Sequence, residues 1–151
     1  MALTAGQIPV LANVPNSGIA QLTGTTIGTL GSDTNGVAIY TAGALGGRVY
    51  SLTGVTSSTT AGGVNVYIYI LKGGSVLPIG LVNIPLSSGN TAAVKFNVDF
   101  LDGVNILGLP LDNTGKRYIP LLGGDILKAA TIANVTVGSA WLTAHGADYQ
   151  S

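Results

Sequence analysis

A chain with no Glu, six Asp, four Lys and two Arg in 151 residues has little from which to build the wet face of a helix. Glu, Gln, Lys and Arg fill that face in ordinary amphipathic helices. Thr, Ser, Asn and 23 Gly hold the polar positions instead, among Val, Ile, Leu and Ala. These residues suit strands and turns, so the sequence predicts an all-β protein. The length suits one domain, which at this size buries roughly 70% of the surface its unfolded chain exposes.

Composition also narrows the function. Cysteine is absent, which removes disulfides and thiolate metal sites. Net charge is zero and the cations are scattered except for Lys116-Arg117, so no basic stripe is present and no nucleic-acid partner is expected. Gly, Pro or Asn cuts every longer apolar stretch well short of the ~20 residues that span a bilayer, and Met1 to Val10 lacks the basic and apolar regions of an export signal. No membrane association is expected. A surface with so little charge has little repulsion to keep copies apart, which favours a partner.

Residues 1 to about 24 read as an extended N-terminal arm, because Gly6, Pro9, Asn13, Pro15, Asn16 and Gly18 break the apolar pieces before any period settles. Residues 25–151 read as the body, with strands near 25–30, 36–42, 47–55, 63–72, 76–84, 91–99, 104–107, 117–122, 125–130 and 132–147. In the clearest, Val64, Val66, Ile68 and Ile70 share one face and Asn65, Tyr67, Tyr69 and Leu71 the other, so both faces can be covered. The polar loop after Val55 suggests that 47–55 and 63–72 are antiparallel neighbours. Near the C-terminus Trp141, Thr143 and His145 alternate with Ala140, Leu142 and Ala144, and Trp141 is expected to anchor a core or an interface. Pro78, Pro85, Pro110 and Pro120 belong at edges, strand ends or bulges.

The inventory for catalysis is thin. His145 is the only imidazole and Asp148 the only acid near it in sequence, with no turn that presents a nucleophile. Asp33-Thr34-Asn35-Gly36 lacks the closing Glu of a calcium loop and reads as a turn, as do Asp102-Gly103 and Asp112 to Gly115. Asp99 and Asp102 could form a glycosidase-like pair, but no cleft is implied. The Gly-Gly steps at 46–47, 62–63, 73–74 and 123–124 lack phosphate-loop text and serve positive-φ turns. No catalytic residue, metal site or cofactor is expected. Six Tyr against two Phe suit an interface or a sugar-binding platform.

An ordered set of pieces resembles the small β-rich head proteins of tailed bacteriophages. It comprises Tyr40-Thr41-Ala42-Gly43 with Gly47-Arg48-Val49, Thr59 to Gly62 with Val64 and Tyr67-Ile68, Ile84-Pro85, Leu109-Pro110-Leu111, Gly124 to Thr131, and Ala144 to Tyr149. The matching text lies within residues 25 to 149, and the first segment and the Asp112 to Arg117 turn fall outside it. The resemblance implies a virion structural role as a capsid decoration, or cement, protein on the outer surface of the capsid. Its partners would be the major capsid protein and its own copies, after synthesis in the host cytoplasm.

The expectation is therefore an antiparallel β-sandwich of jelly-roll type with an N-terminal arm, acting as a cement protein. A homotrimer is preferred and a homodimer is the alternative. Ile8, Val10, Leu11, Val14, Ile19 and Trp141 are the candidate interface residues. A carbohydrate-binding β-sandwich module of a tail fibre, using the tyrosines as a platform, is the competing function. A small hydrolase is the third.

Overall fold

Alternating apolar residues punctuated by Gly and Asn give strands and turns, with no helix, throughout the described residues of this computed structural model: 12–24, 26–57, 63–85, 97–132 and 138–150. The strands are β1 (Ala12–Leu22), β2 (Val37–Thr41), β3 (Gly47–Thr56), β4 (Val64–Lys72), β5 (Ser75–Ile84), β6 (Val98–Asp99), β7 (Ile119–Leu121), β8 (Ile126–Thr131) and β9 (Ala140–Tyr149). All ladders between these strands are antiparallel. The first sheet runs β1-β9-β3-β6, with β7 also paired to β3, and the second runs β2-β8-β4-β5. β7 and β6 share the far edge of β3: β7 meets Gly47 to Val49, and β6 meets Thr53 and Gly54.

The expected pairing of 47–55 with 63–72 is overturned, since β3 lies in the first sheet and β4 in the second. Each carries an apolar inner face, Val49 and Leu52 on β3 and Val64, Val66 and Ile68 on β4. Lying in opposite sheets buries both faces in one core, while distant strands β9 and β8 fill the hydrogen-bonding edges. The hairpin that does form joins β4 to β5 through Gly73 and Gly74, whose φ values of 54° and 84° meet the demand of a two-residue turn for two positive φ angles.

The reading of residues 1 to 24 as an arm is corrected over Ala12–Leu22. These residues are an edge strand of the first sheet, paired with β9 from Ala12↔Tyr149 to Leu22↔Ala140. Ala20 and Leu22 enter the core, while Ile19 and Gln21 face out. Pro15 and Gly18 interrupt the apolar residues and so mask this alternation. A Cβ at Gly18 would overlap the backbone carbonyl of Ile39 on β2, so only glycine lets β1 close this side of the sandwich. Residues 1–11, with Ile8, Val10 and Leu11, lie outside the described residues.

Three other expected strands change. Residues 26–30 contribute only a bridge from Ile27 to Thr131, 104–107 form bends that bury Ile106, and the last strand begins at Ala140. Residues 86–96 and 133–137 lie outside the described residues. Pro78 sits on the edge strand β5 beside a register shift and Pro120 on the short edge strand β7, as a missing N–H requires.

Large and small residues interlock in the core. Leu22, Leu142, Leu52, Ile119 and Leu121 come from the first sheet, Val66, Ile68, Ile84 and Leu127 from the second, and Phe100 from the bend after β6. Ala20, Ala129, Ala140 and Ala144 fill the narrow places. A polar clasp joins the sheets at one edge: Tyr40 Oη on β2 donates to Asp148 Oδ1 on β9 at 2.8 Å, and Asn16 Nδ2 on β1 donates to Asp148 Oδ2 at 2.9 Å.

The outer face of β4 is covered too. Tyr67 and Tyr69 stack with ring centroids 4.9 Å apart beneath the 27–36 segment. Gly31 N donates to Tyr67 Oη at 3.0 Å, and Tyr69 Oη donates to Asp33 Oδ1 at 2.6 Å. Asp33 also forms an ion pair with Lys128 of β8 at 2.5 Å. Burial pushes the Asp33 carboxyl upward, but the hydrogen bonds from Lys128 and Tyr69 and the Lys128 charge together hold it below its ordinary value. The Tyr40 and Tyr69 phenols are pushed up, first by burial and then by their hydrogen bonds to Asp148 and Asp33.

Two outcomes follow. A phenol raised by folding stabilises the fold fully below its unfolded pKa, near 10, and loses that contribution as pH rises past it. Thermal stability should therefore fall above about pH 10, with Tyr40 and Tyr69 forming tyrosinate only on unfolding. An absorbance titration in which all six Tyr ionised together near pH 10 in the folded protein would refute this. Gly18→Ala should cost about 1–3 kcal/mol in denaturant unfolding, because backbone must move to admit the methyl group.

Candidate functional site

Among the described residues, two surfaces bring together the expected interface residues and the charged side chains. The first is the outer face of the first sheet, created by the alternation of β1, β9 and β3. Register brings Gln21, Trp141 and Val55 into one row, Ile19, Thr143 and Thr53 into the next, and Ser17, His145 and Ser51 into a third. Ile19 is 71% exposed and lies diagonally from Trp141, which is half-buried, and Val55 is 37% exposed. Together they make an apolar strip that crosses β1, β9 and β3 on the outer face of the sheet. Val14, also on β1, is exposed.

Of the six expected interface residues, Ile19 and Trp141 are thus brought together, and Val14 shares the edge strand of Ile19. Trp141 does not belong to the buried core: Ala140, Leu142 and Ala144 supply the inner face of β9, which leaves the indole outside. His145 is exposed in a row of serines, while the Asp148 carboxylate is engaged by Asn16 and Tyr40. Asp33 is held by Tyr69 and Lys128 rather than presented to a cation. Asp99 and Asp102 each organise their own turn: Asp99 Oδ1 accepts from Leu101 N, and Asp102 Oδ1 from the N–H groups of Val104 and Asn105. The latter bonds, Asn105 first, hold the Asp102 carboxyl below its ordinary value.

The second surface lies across β3, on the β6–β7 side. A cleft of about 310 Å³ is lined by Tyr50, Asp99, Leu101, Gly115, Lys116 and Arg117. Its cations ride on the Asp112 to Lys116 turn, which is closed by the Asp112 carboxylate: Oδ1 accepts from Lys116 N at 2.9 Å and from Thr114 N at 2.8 Å. The Lys116 N–H is the main cause of the lowered Asp112 pKa, followed by the Thr114 side chain. Gly103, at φ +86°, leaves room for the Arg117 guanidinium, with which a Cβ there would collide. Arg117 also donates to Asp102 O at 3.3 Å.

Beside the cleft Arg48 of β3 is stacked by two tyrosines, with its guanidinium 4.7 Å from the Tyr118 centroid and 5.6 Å from that of Tyr149. Its Nε donates to Tyr149 Oη at 2.7 Å. The six tyrosines therefore divide: Tyr40, Tyr67 and Tyr69 are buried, and Tyr50, Tyr118 and Tyr149 surround Arg48 or border the cleft. Sequence reading missed this site, although the Lys116-Arg117 pair next to a tight turn was its visible trace. No grouping of three or more metal-ligating side chains occurs among the described residues, and no helix there is long and apolar enough to cross a membrane.

No family model matches the chain, and no curated protein matches it. Among solved structures it is similar to a chain titled "Cyanophage Pam1 capsid asymmetric unit", with 13% sequence identity, a TM-score of 0.40 and 99% of each chain covered.

Proposed function

We propose that the protein is a virion structural component, a capsid decoration protein of jelly-roll type that works by adhesion and without catalysis. Support for the jelly roll comes from the strand order, in which β1-β9-β3 with β6 and β7 as one interrupted strand faces β2-β8-β4-β5. The observation that carries the adhesive role is the apolar strip of Ile19, Trp141 and Val55 across the outer face of the first sheet. Apolar area removed from water there contributes at roughly 25 cal/mol per Å², and repetition over many copies multiplies a small contact. The edge of β1 away from β9 carries no strand partner among the described residues, so it can add a strand from a neighbour. The ordered sequence resemblance to phage head proteins points to the same role, with the major capsid protein and further copies as partners on the outer capsid surface.

The alternative, a carbohydrate-binding β-sandwich module with the tyrosines as its platform, loses its clearest strand because Tyr67 and Tyr69 are buried under the 27–36 segment.

Co-expression with the major capsid protein encoded by the same phage or prophage tests the reading, scored by sedimentation with empty heads. The wild-type chain should co-sediment, and Ile19→Asp combined with Trp141→Ala should abolish binding while the isolated protein still melts cooperatively. Removing residues 1–11 should leave β1 in place and weaken assembly, whereas removal to residue 24 would take Ala20 and Leu22 out of the core and unfold the body. In light scattering the protein alone should run as a trimer. Undiminished head binding by the double variant would refute the adhesive strip.

A further inference from the structure

The two sheets end in strands of very different length. In the first, β6 and β7 have two and three residues at one end, and β1 has eleven at the other. In the second, β2 has five residues and lies beneath β1, with Ile39 O against Gly18, while β5 has ten and forms the far end. Among the described residues the long edges are therefore β1 and β5, and the width of the second sheet separates them within one molecule.

Both edges are open to another strand. Beyond its ladder with β9, the backbone of Val14 to Leu22 makes no further backbone hydrogen bond among the described residues, and the same holds for Val76 to Val82 beyond the ladder with β4. Neither strand contains a charged residue, although a charge on the edge is the usual guard against pairing with another chain. Each has a single proline, Pro15 or Pro78, which removes one donor and leaves the rest. Apolar side chains line both: Val14 and Ile19 are exposed on β1, and Leu77 and Leu81 on β5. Ile106 lies against Gly80 and so sets its neighbour Leu107, 76% exposed, beside β5.

Symmetry decides which edges meet. A two-fold dimer through β5, or through β1, covers that strand on both copies and leaves the other long edge open on both. A head-to-tail contact, β1 of one copy on β5 of the next, covers both long edges of every copy once the ring closes. We propose that copies of this chain join in this way, the first sheet of one continuing into the second sheet of the next, in a ring of three. The count of three rests on the trimeric decoration reading above, whereas the choice of β1 and β5 rests on the edges themselves. Strand pairing lies in the plane of the sheet, so the outer face with Ile19 and Trp141 stays open to the capsid protein.

The chain has no Cys, so engineered thiols can be cross-linked without background. Ser17→Cys on β1 and Leu81→Cys on β5, both at exposed positions, are treated with a short bismaleimide alone, mixed, and combined in one chain. The combined variant should give a covalent trimer on a denaturing gel, the mixture a covalent dimer, and each single variant only monomer. Leu77→Lys with Leu81→Lys, which charges the β5 edge at exposed positions, should lower the light-scattering mass about threefold and leave the circular dichroism unchanged. A covalent dimer from either single variant alone, no cross-link in the combined variant, a trimeric double-lysine chain or a monomeric wild type would each overturn the proposal. Sedimentation with heads separates it from the adhesive strip. A cross-linked trimer that ignores heads refutes the strip and leaves the ring standing, and a wild-type monomer that binds heads refutes the ring and leaves the strip.

Discussion

The structure depends on the last strand. β9 lies between β1 and β3, supplies the hydrogen-bond partners of both, and through Asp148 reaches Tyr40 in the opposite sheet. Until Ala140 to Tyr149 is in place, β1 has no ladder and the first sheet is split in two. The body is therefore held by contacts between residues far apart in sequence, Asn16 with Asp148 or Arg48 with Tyr149, rather than by locally stable pieces. Such a topology orders much of the chain before it gains its contacts, and it makes folding cooperative and comparatively slow.

Scarcity of charge makes each ionisable group count. Asp33, Asp112 and Asp148 each tie one segment to another: the 27–36 segment to β4 and β8, one side of a turn to the other, and one sheet to its partner. Net contributions from single hydrogen bonds are modest, about 1 kcal/mol, but stranding a buried phenol such as Tyr69 or Tyr40 would cost more. This division of labour leaves Lys116, Arg117 and Asp99 as charged groups facing an open cleft, and Ile19 and Trp141 as apolar groups facing water.

Much of the fold was legible in residue types. The double-faced β4 run behaves as its alternation implied, with Val64, Val66 and Ile68 in the core and Tyr67 and Tyr69 covered on the other side. Gly46, Gly63, Gly73, Gly74 and Gly124 all have positive φ at the Gly-Gly steps, since a turn conformation barred to a side chain leaves a mark in the sequence. Ile19 and Trp141 stand out in the sequence because an apolar residue in a polar context is visible, although its depth is not. The alternation of β9 did not say on which side of the sheet Trp141 lies; Ala140 and Leu142 take the inner side and leave it on the outer one.

The sequence by itself determined the class of structure, because a chain with no Glu and 23 Gly can make strands and turns but hardly the wet side of a helix. It determined which residues of β4 and of β9 share a face, since the period of two is a local property. Only the tertiary structure decided which strand pairs with which. The alternation of β3 and β4 is satisfied equally by a hairpin and by two facing sheets, and the choice rests on the total apolar area that distant strands can bury together. The cleft was decided at the same level. Tyr50, Asp99 and Lys116 carry no common motif, and they meet only because β6 and β7 both fill the far edge of β3.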